Sequence, residues 1–497
     1  MEKKAYNFVF VMPDSMRAES LGCYGHPAVK TPNIDALASE GTLFQNCYSQ
    51  FPMCAPARCC MLTGLYPHNK GYRGNMNLIK RDTPNLFSYM RKAGYYVSWL
   101  GKNDMLDSDC FLDSVDFCYD RMYDNSHGKA IFNENGEYSF AEEPMNSPVG
   151  GTRDYKLITA GMDFIKQYDR EEPFALYLAL NIPHVPFTIP EPYYSMYNEN
   201  DVDYLRPAGL PDEPVFRRGA RETHKMVDYD ENRLKKMNAI YLGMISYSDM
   251  LLGRIVETLK SEGKYDNTII VYFSDHGEYG GDYGLVHKQW CGMEDVMLRV
   301  PFIFRVPGGN TGQIVKQPVA LMDFFATIAD LADVKINHRH FSVSLKKQLF
   351  GRDEDPDRVV FSEGGFHISK EERVKGSVSN AITEDNLYYA FDMVGVERPL
   401  SVANTLMLRN GKYKFVYRPG DISELYDMAD DPLELRNLYY NEDYIDTVNR
   451  LKGVMLDFCV ECSDPTRDGT DDRNTPVFSQ DEDDPFFEKL VSGAYKR

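Results

Sequence analysis

Four apolar, strand-length runs constrain this chain most, because each ends on residues able to do chemistry. Asn7–Met12 (NFVFVM) runs into Pro13-Asp14. YYVSWL leads into Gly101-Lys102, FALYLAL into Asn181-Ile182-Pro183-His184, and TIIVYF into Ser274-Asp275-His276. Short uncharged runs of this kind read as buried strands. Amphipathic helical patterns alternate with them as far as about Ala332. That alternation predicts an α/β fold, with a mostly parallel central sheet and helices on both faces. Such sheets bind ligands beyond the carboxyl ends of their strands. Asp14, Lys102, His184 and Asp275 all fall there.

At 497 residues the chain is long for one core, and two domains or subdomains are expected. Residues 1–335 are read as the α/β domain. Within it, 187–234 is rich in Pro, Tyr, Asp and Arg and lacks clean periodicity. It is expected to be a long insertion over the active site, since structureless loops of that length are usually functional. A long helical pattern over 235–263 stops at Gly263. Residues 336–497 form the second unit. Short strands and a final helix near 443–462 predict a smaller α+β subdomain with a short antiparallel sheet. The acidic stretch 464–484 reads as an exposed tail.

Between the first two runs lies Cys54-Ala55-Pro56-Ala57-Arg58-Cys59-Cys60-Met61-Leu62-Thr63-Gly64. Pro56 suits a first helical turn, and Gly64 suits the left-handed residue that ends a helix. Cys54 then stands at the positive end of a short helix, with Arg58 one turn along the same face. A nucleophile, a helix N-terminus and a guanidinium together suit a tetrahedral oxyanion such as sulfate or phosphate. Cys59 and Cys60 are adjacent on the helix and read as small core residues.

The Cys-x-Pro-x-Arg…Leu-Thr-Gly pattern resembles the signature of the formylglycine sulfatases of the alkaline phosphatase superfamily. The likeness extends along the chain. It takes in Thr31-Pro32-Asn33-Ile34-Asp35-Ala36-Leu37-Ala38, Gly101-Lys102, Asn181-Ile182-Pro183-His184-Val185-Pro186 and Ser274-Asp275-His276-Gly277-Glu278. His287-Lys288, Arg299-Val300-Pro301-Phe302-Ile303, Gly411-Lys412-Tyr413-Lys414 and the segment from Glu424 to Leu438 follow in order. The resemblance implies that a formylglycine-generating maturation enzyme oxidises Cys54 to Cα-formylglycine. One hydroxyl of the hydrate attacks sulfur and the other later expels sulfate, which splits one hard step into two. Asp14, Asp275 and His276 would hold a divalent cation with the Cys54-derived hydroxyl. Arg58 would hold the hydrate and the metal ligands, and Lys102 and Lys288 the sulfate oxygens. His184 would bind sulfate or protonate the leaving oxygen.

The chain departs from the family's common pattern at four places. Ala57 stands where Ser is usual. Asp14-Ser15 stands where many relatives carry Asp-Asp, and Asp275-His276 where many carry Asp-Asn. Some sulfatases and the phosphonate monoester hydrolases share the Asp-His pair. Ca²⁺ is the first expectation by family. Mn²⁺ is the alternative, because an imidazole makes the donor set less purely oxygen. Lys102-Asn103-Asp104 replaces a frequent Lys-x-His. Asp104 is then either the base that acts on the second hydroxyl or a partner of Lys102, and His68 is a further candidate. Glu363 and His367, after the strand-like RVVFS, are candidates for binding sugar hydroxyls, or parts of a surface loop.

The leading expectation is a sulfuric ester hydrolase acting on a small-molecule or oligosaccharide sulfate ester, such as a sulfated sugar or glycan fragment. The alternative is a phosphonate monoester or phosphodiester hydrolase built on the same residues. A third class is a silent sulfatase-like protein, or a thiol sensor using Cys54, Cys59 and Cys60. A zinc site there lacks a second ligand pair at suitable spacing. The net charge of −20, from 55 Lys+Arg against 75 Asp+Glu, argues against nucleic acid as a partner. No stretch reads as a membrane span. Ten scattered cysteines fit a reducing compartment, and the N-terminal run is too short for a signal peptide, so a cytoplasmic location is expected.

Overall fold

The computed structural model describes residues 5–463 apart from 120–130, 133–137, 142, 203, 228, 352–353, 367–392 and 396. The strands of its large sheet are β1 (Asn7–Met12), β2 (Thr42–Tyr48), β3 (Tyr96–Gly101), β4 (Phe117–Tyr119), β5 (Phe174–Ala179), β6 (Thr268–Phe273), β7 (Phe302–Arg305) and β8 (Gln313–Ala320). They lie in the order β8-β2-β7-β6-β1-β5-β3-β4, with the short Arg299–Val300 strand pairing on β2. β1 runs parallel to β5 and β6, β3 to β5 and β4, and β2 to β8. β7 is antiparallel to both its neighbours, β2 and β6. The sheet is therefore mostly parallel, with one reversed strand inside it.

Strand periodicity builds two cores at once. In β1, Val9 and Val11 join the cluster on one face, while Phe8, Phe10 and Met12 join that on the other. β6 repeats the division with Ile270 and Tyr272 against Ile269, Val271 and Phe273. α1 (Pro32–Ser39), α2 (Cys54–Thr63), α3 (Arg153–Gln167), α4 (Val215–Thr223), α5 (Glu231–Ser261) and α6 (Asp323–Leu331) surround the sheet. α3 and α5 cover the first face through Leu157, Ile158, Leu251 and Ile255. α2 and α6 cover the second through Cys59, Met61, Phe324 and Ile328. α5 is long and apolar enough to cross a membrane, yet most of its apolar window is buried within this fold.

The second sheet is antiparallel, in the order β9 (Val360–Gly364), β10 (Thr405–Arg409), β11 (Tyr413–Tyr417), β12 (Glu424–Asp427). The last described helix, α7 (Ile445–Ser463), sits against it through Val448, Leu451, Met455 and Phe458. That cluster continues into Tyr48, Tyr66, Met293 and Met297 of the preceding part of the chain. Leu345 and Leu349 instead belong to the core under the large sheet. The 464–484 stretch lies outside the described residues.

The 187–234 segment is more ordered than its composition predicts. It contains the nine-residue α4, and Phe187 and Ile189 lie in the first core. Two of its arginines are drawn inward by carboxylates: Arg206 meets Glu19 and Asp282, and Arg217 meets Glu294 and Glu424. A segment whose charges are satisfied internally needs no apolar periodicity to pack, which is why sequence pattern missed its helix.

Candidate active site

β1, β3, β5 and β6 end side by side, and the chain leaves each of them carrying a polar group. Asp14 follows β1, Lys102 follows β3, His184 follows β5, and Asp275 and His276 follow β6. Two backbone features make these exits possible. Gly101 has φ +98°, and a Cβ there would run into the Ala179 carbonyl, so only glycine turns the chain into Lys102 at this spacing. Ser15 has φ +66°. Its hydroxyl donates to Asp14 Oδ1 at 2.9 Å and its N–H to Asp275 Oδ1 at 3.2 Å.

α2 delivers Cys54 at its first residue. Met53 is extended at its N-cap and offers no side-chain cap, and Gly64 closes the helix at φ +68°. Every residue of α2 is buried, so its uncapped N–H groups are available to an anion. Cys54 Sγ lies 2.9 Å from Lys288 Nζ, 3.2 Å from His276 Nε2, 3.5 Å from Asp14 Oδ1 and 3.7 Å from Lys102 Nζ. Arg58 bridges the two carboxylates, with Nε donating to Asp275 Oδ2 and Nη2 to Asp14 Oδ2, each at 2.7 Å. Its Nη1 has no hydrogen-bond partner among the described residues.

The charges follow from this packing. Burial and Asp14 push the Cys54 thiol up, but Lys102, Lys288 and His276 outweigh them and bring it down to about 5. Burial opposes ionisation of Asp14, yet Lys102 and Arg58 hold it well below the usual carboxylate range. Lys102 goes well up, because Asp104 and Asp14 overcome its burial. The histidine tautomers are set by carbonyls. His276 Nδ1 faces Gly277 O at 2.8 Å and His184 Nδ1 faces Val185 O at 2.7 Å. A carbonyl only accepts, so in each ring Nδ1 carries a proton. His184 Nε2 meets Lys288 Nζ at 2.7 Å. His276 Nε2 faces Cys54 and Asp14, and although burial opposes charge on this ring, Asp275 and Cys54 raise it above the ordinary imidazole value.

Asp14, Cys54, Asp275 and His276 each offer one ligand atom, all within 4.8 Å of one another and all buried. Two carboxylates, an imidazole whose ring is held from behind by the Gly277 carbonyl and a fourth donor fit a divalent cation, which would take the place of any proton on His276 Nε2. The structure thus brings together Asp14, Cys54, Arg58, Lys102, His184, Asp275, His276 and Lys288. Asp104 meets this group through Lys102, 3.0 Å away.

Other expected residues lie elsewhere or do something else. Glu363 is buried against Arg73 and His68, so its carboxylate is engaged and not free for a sugar. His68 also faces the Cys462 carbonyl, which makes it a tie to α7. His367 lies outside the described residues. Cys59 and Cys60 are buried, burial pushes their thiols up, and all ten cysteines are free thiols.

The motifs carry His287 beside Lys288 without indicating its role. It is buried at φ +72°, with its ring edge-on to His184 at 5.5 Å and stacked on Phe140 at 6.0 Å. Burial, with Lys288 adding to it, keeps it well below the ordinary imidazole range. His224, within the 187–234 segment, also packs on Phe140, with ring centroids 5.8 Å apart. The segment therefore reaches the layer behind His184.

The model of the family described as Sulfatase matches residues 6–334. The chain belongs to this family. Among its curated relatives, an arylsulfatase of Clostridium perfringens (strain 13 / Type A) is 26% identical over 485 residues, covering 90% of this sulfatase and 93% of the relative. An N-acetylglucosamine-6-O-sulfatase of Bacteroides thetaiotaomicron is 24% identical over 545 residues, covering 97% and 90%. Two solved structures share the fold. The phosphonate monoester hydrolase of Agrobacterium radiobacter has a TM-score of 0.75 at 23% identity, covering 92% of this chain and 96% of its own. A protein solved in complex with its substrate D-glucosamine-2-N,6-O-disulfate has a TM-score of 0.72 at 20% identity, covering 93% and 99%.

Proposed function

We propose that this sulfatase hydrolyses sulfate monoesters of a small sulfated sugar or glycan fragment, after conversion of Cys54 to formylglycine. The observation that carries this is the ring of Lys288, His276, Asp14 and Lys102 within 2.9–3.7 Å of Cys54 Sγ, at an uncapped helix N-terminus. Formylglycine supplies a hydrated aldehyde whose hydroxyl is the nucleophile. Asp14, Asp275 and His276 would hold a divalent cation, which stabilises negative charge on the sulfuryl oxygens. Ca²⁺ is first choice by family, and Mn²⁺ is favoured by the imidazole.

The chain's own groups divide the remaining work. Lys102 and Lys288 bind sulfuryl oxygens, and the α2 N–H groups add fixed donors where charge develops. Arg58 keeps both carboxylates ionised and oriented. His184, whose Nε2 shares a proton with Lys288, stands as the donor side of the site, and the pair can hand that proton to the departing sugar oxygen. The N-acetylglucosamine-6-O-sulfatase relative supports a sugar ester. Ten free thiols support action in a reducing compartment.

The test is to produce the chain with a formylglycine-generating enzyme and measure the mass of the Cys54 peptide, the bound metal, and turnover of sulfated monosaccharides. An aldehyde at position 54 with turnover is expected, and Cys54→Ala should lower turnover by at least about a thousandfold with the fold intact by circular dichroism. Wild-type turnover by that variant overturns the reading. Asp275-His276 favours a second reading, a phosphonate monoester hydrolase. It wins if a phosphonate monoester is turned over with higher kcat/KM than any sulfate ester.

A further inference from the structure

Lys102 is held from two sides. Its Nζ lies 2.6 Å from Asp14 Oδ2 and 3.0 Å from Asp104 Oδ2, with Cys54 Sγ at 3.7 Å. Of the charged side chains around Cys54, Lys102 is 15% exposed and Asp104 26%, while Asp14, Asp275 and Arg58 are fully enclosed. The Lys102–Asp104 pair is therefore more accessible to solvent than Asp14, Asp275 and Arg58. Asp14 and Asp275 have their charge met by Arg58. Asp104 instead pairs with Lys102, the lysine that must also bind the ester.

We propose that Asp104 is a specificity-determining residue that selects the charge of the ester, admitting singly charged esters and disfavouring doubly charged ones. This rests on the sulfatase reading for the location of the ester. The physical basis is simple repulsion at short range. Three cations, Arg58, Lys102 and Lys288, stand against three carboxylates, Asp14, Asp275 and Asp104, so the positive surplus that an ester meets would come from the bound divalent cation, and Asp104 lowers it by one unit. Each added negative charge on the ester meets Asp104 one ammonium group away, in a medium less polar than water. A sulfate monoester and a phosphonate monoester each carry one charge at neutral pH. A phosphate monoester carries two above its second ionisation at about 6. The same site can therefore serve either of the first two and reject the third, without a contact that reads sulfur against phosphorus.

The experiment compares converted, metal-loaded wild type with Asp104→Asn and Asp104→Glu. The readout is the ratio of kcat/KM for 4-nitrophenyl phosphate to that for 4-nitrophenyl sulfate, above the second phosphate ionisation. Asp104→Asn should raise this ratio about tenfold, mainly through a lower phosphate KM. Asp104→Glu keeps the charge and should keep the wild-type ratio. A base at this position would instead lower kcat for both esters by one factor. An unchanged ratio in Asp104→Asn, or a Glu variant that behaves like Asn, overturns the assignment. Calorimetric binding of phenyl phosphate and phenyl sulfate to Cys54→Ala, with and without Asp104→Asn, needs no turnover. A shift in that binding ratio without hydrolysis of any sulfate ester would sink the sulfatase reading and leave the charge selection standing. No shift, or no binding of either ester, sinks the charge selection.

Discussion

Lys288 touches both Cys54 and His184, so its removal should be felt twice. In converted enzyme, Lys288→Ala takes away a donor aimed at developing charge and should cost about 10²–10³ in kcat. In unconverted, metal-free protein the reporter is the Cys54 thiol, held at about 5 in the fold. That value lies below the ordinary thiol range, so the stabilisation of the ionised form is present above the unfolded pKa and lost as pH falls through about 5. Thiolate absorbance should accordingly drop on acidification with a midpoint near 5, and Lys288→Ala should move the midpoint upward. An unmoved midpoint would take Lys288 out of contact with Cys54. Asp275→Asn tests the metal side. It removes a charged donor and the partner of Arg58 Nε, and cation affinity should fall at least about tenfold, as measured by titration with Ca²⁺ and Mn²⁺. Equal affinity would place the cation elsewhere. Much of this site is legible in sequence because Asp14, Lys102, His184 and Asp275 sit next to strand ends, where local pattern and topology agree. What is not legible is partner choice. The Lys102–Asp104 pair is one of the two roles that the local sequence allows, but nothing local says that Glu363 is taken by Arg73 and His68 nearly 300 residues away. The Glu363 pairing is set by tertiary packing.

At the scale of elements, the strand exits are the devices that matter, and β3 is the clearest. Its last residue, Gly101, takes a left-handed conformation with the Ala179 carbonyl and Leu157 side chain against the space where a Cβ would go. Gly101→Ala should therefore destabilise the fold by more than about 1 kcal/mol, since strain and overlap act together. It should also push Lys102 away from Asp14. The check pairs urea unfolding with kcat. A variant as stable and active as wild type would mean that β3 relaxes freely and that the turn is not tight. The strands themselves are readable because their alternate residues feed two separate cores, leaving continuous apolar runs. The reversed strand β7 is not readable as such, since its four residues carry no mark of direction and its place between β2 and β6 is decided by pairing. α4 is hidden for another reason. Its buried positions mix Phe216 and Ala220 with Arg217 and Arg221, so the apolar pattern is short and interrupted by charge.

Across the whole molecule, the smaller sheet is tied to the catalytic part by buried charge as well as by apolar contact. Lys414 on β11 is fully buried, 2.8 Å from Asp295 Oδ1 and 2.6 Å from Glu434 Oε1. Asp295 follows the loop that carries Lys288, and its N–H donates to Glu434 Oε2 at 2.7 Å. The trio thus joins β11, the segment after Glu424 and the polypeptide between Lys288 and β7. Burying these ions has a desolvation cost that their attraction roughly offsets, so the trio as a unit adds little net stability. Breaking it is different. Lys414→Met leaves two enclosed carboxylates facing each other, with Arg299 on Asp295 as partial relief. The expected loss is about 3–5 kcal/mol. Neutralising the partners as well, in Lys414→Met/Asp295→Asn/Glu434→Gln, should recover most of that loss, because no charge is then stranded. Urea unfolding of the wild type, the single and the triple variant decides the matter. A single variant that unfolds with the wild type would show that water reaches the trio, and a triple variant weaker than the single would show that the ion trio is itself a net source of stability. The middle result, loss followed by recovery, would show that the trio is close to neutral as a unit and costly only when broken.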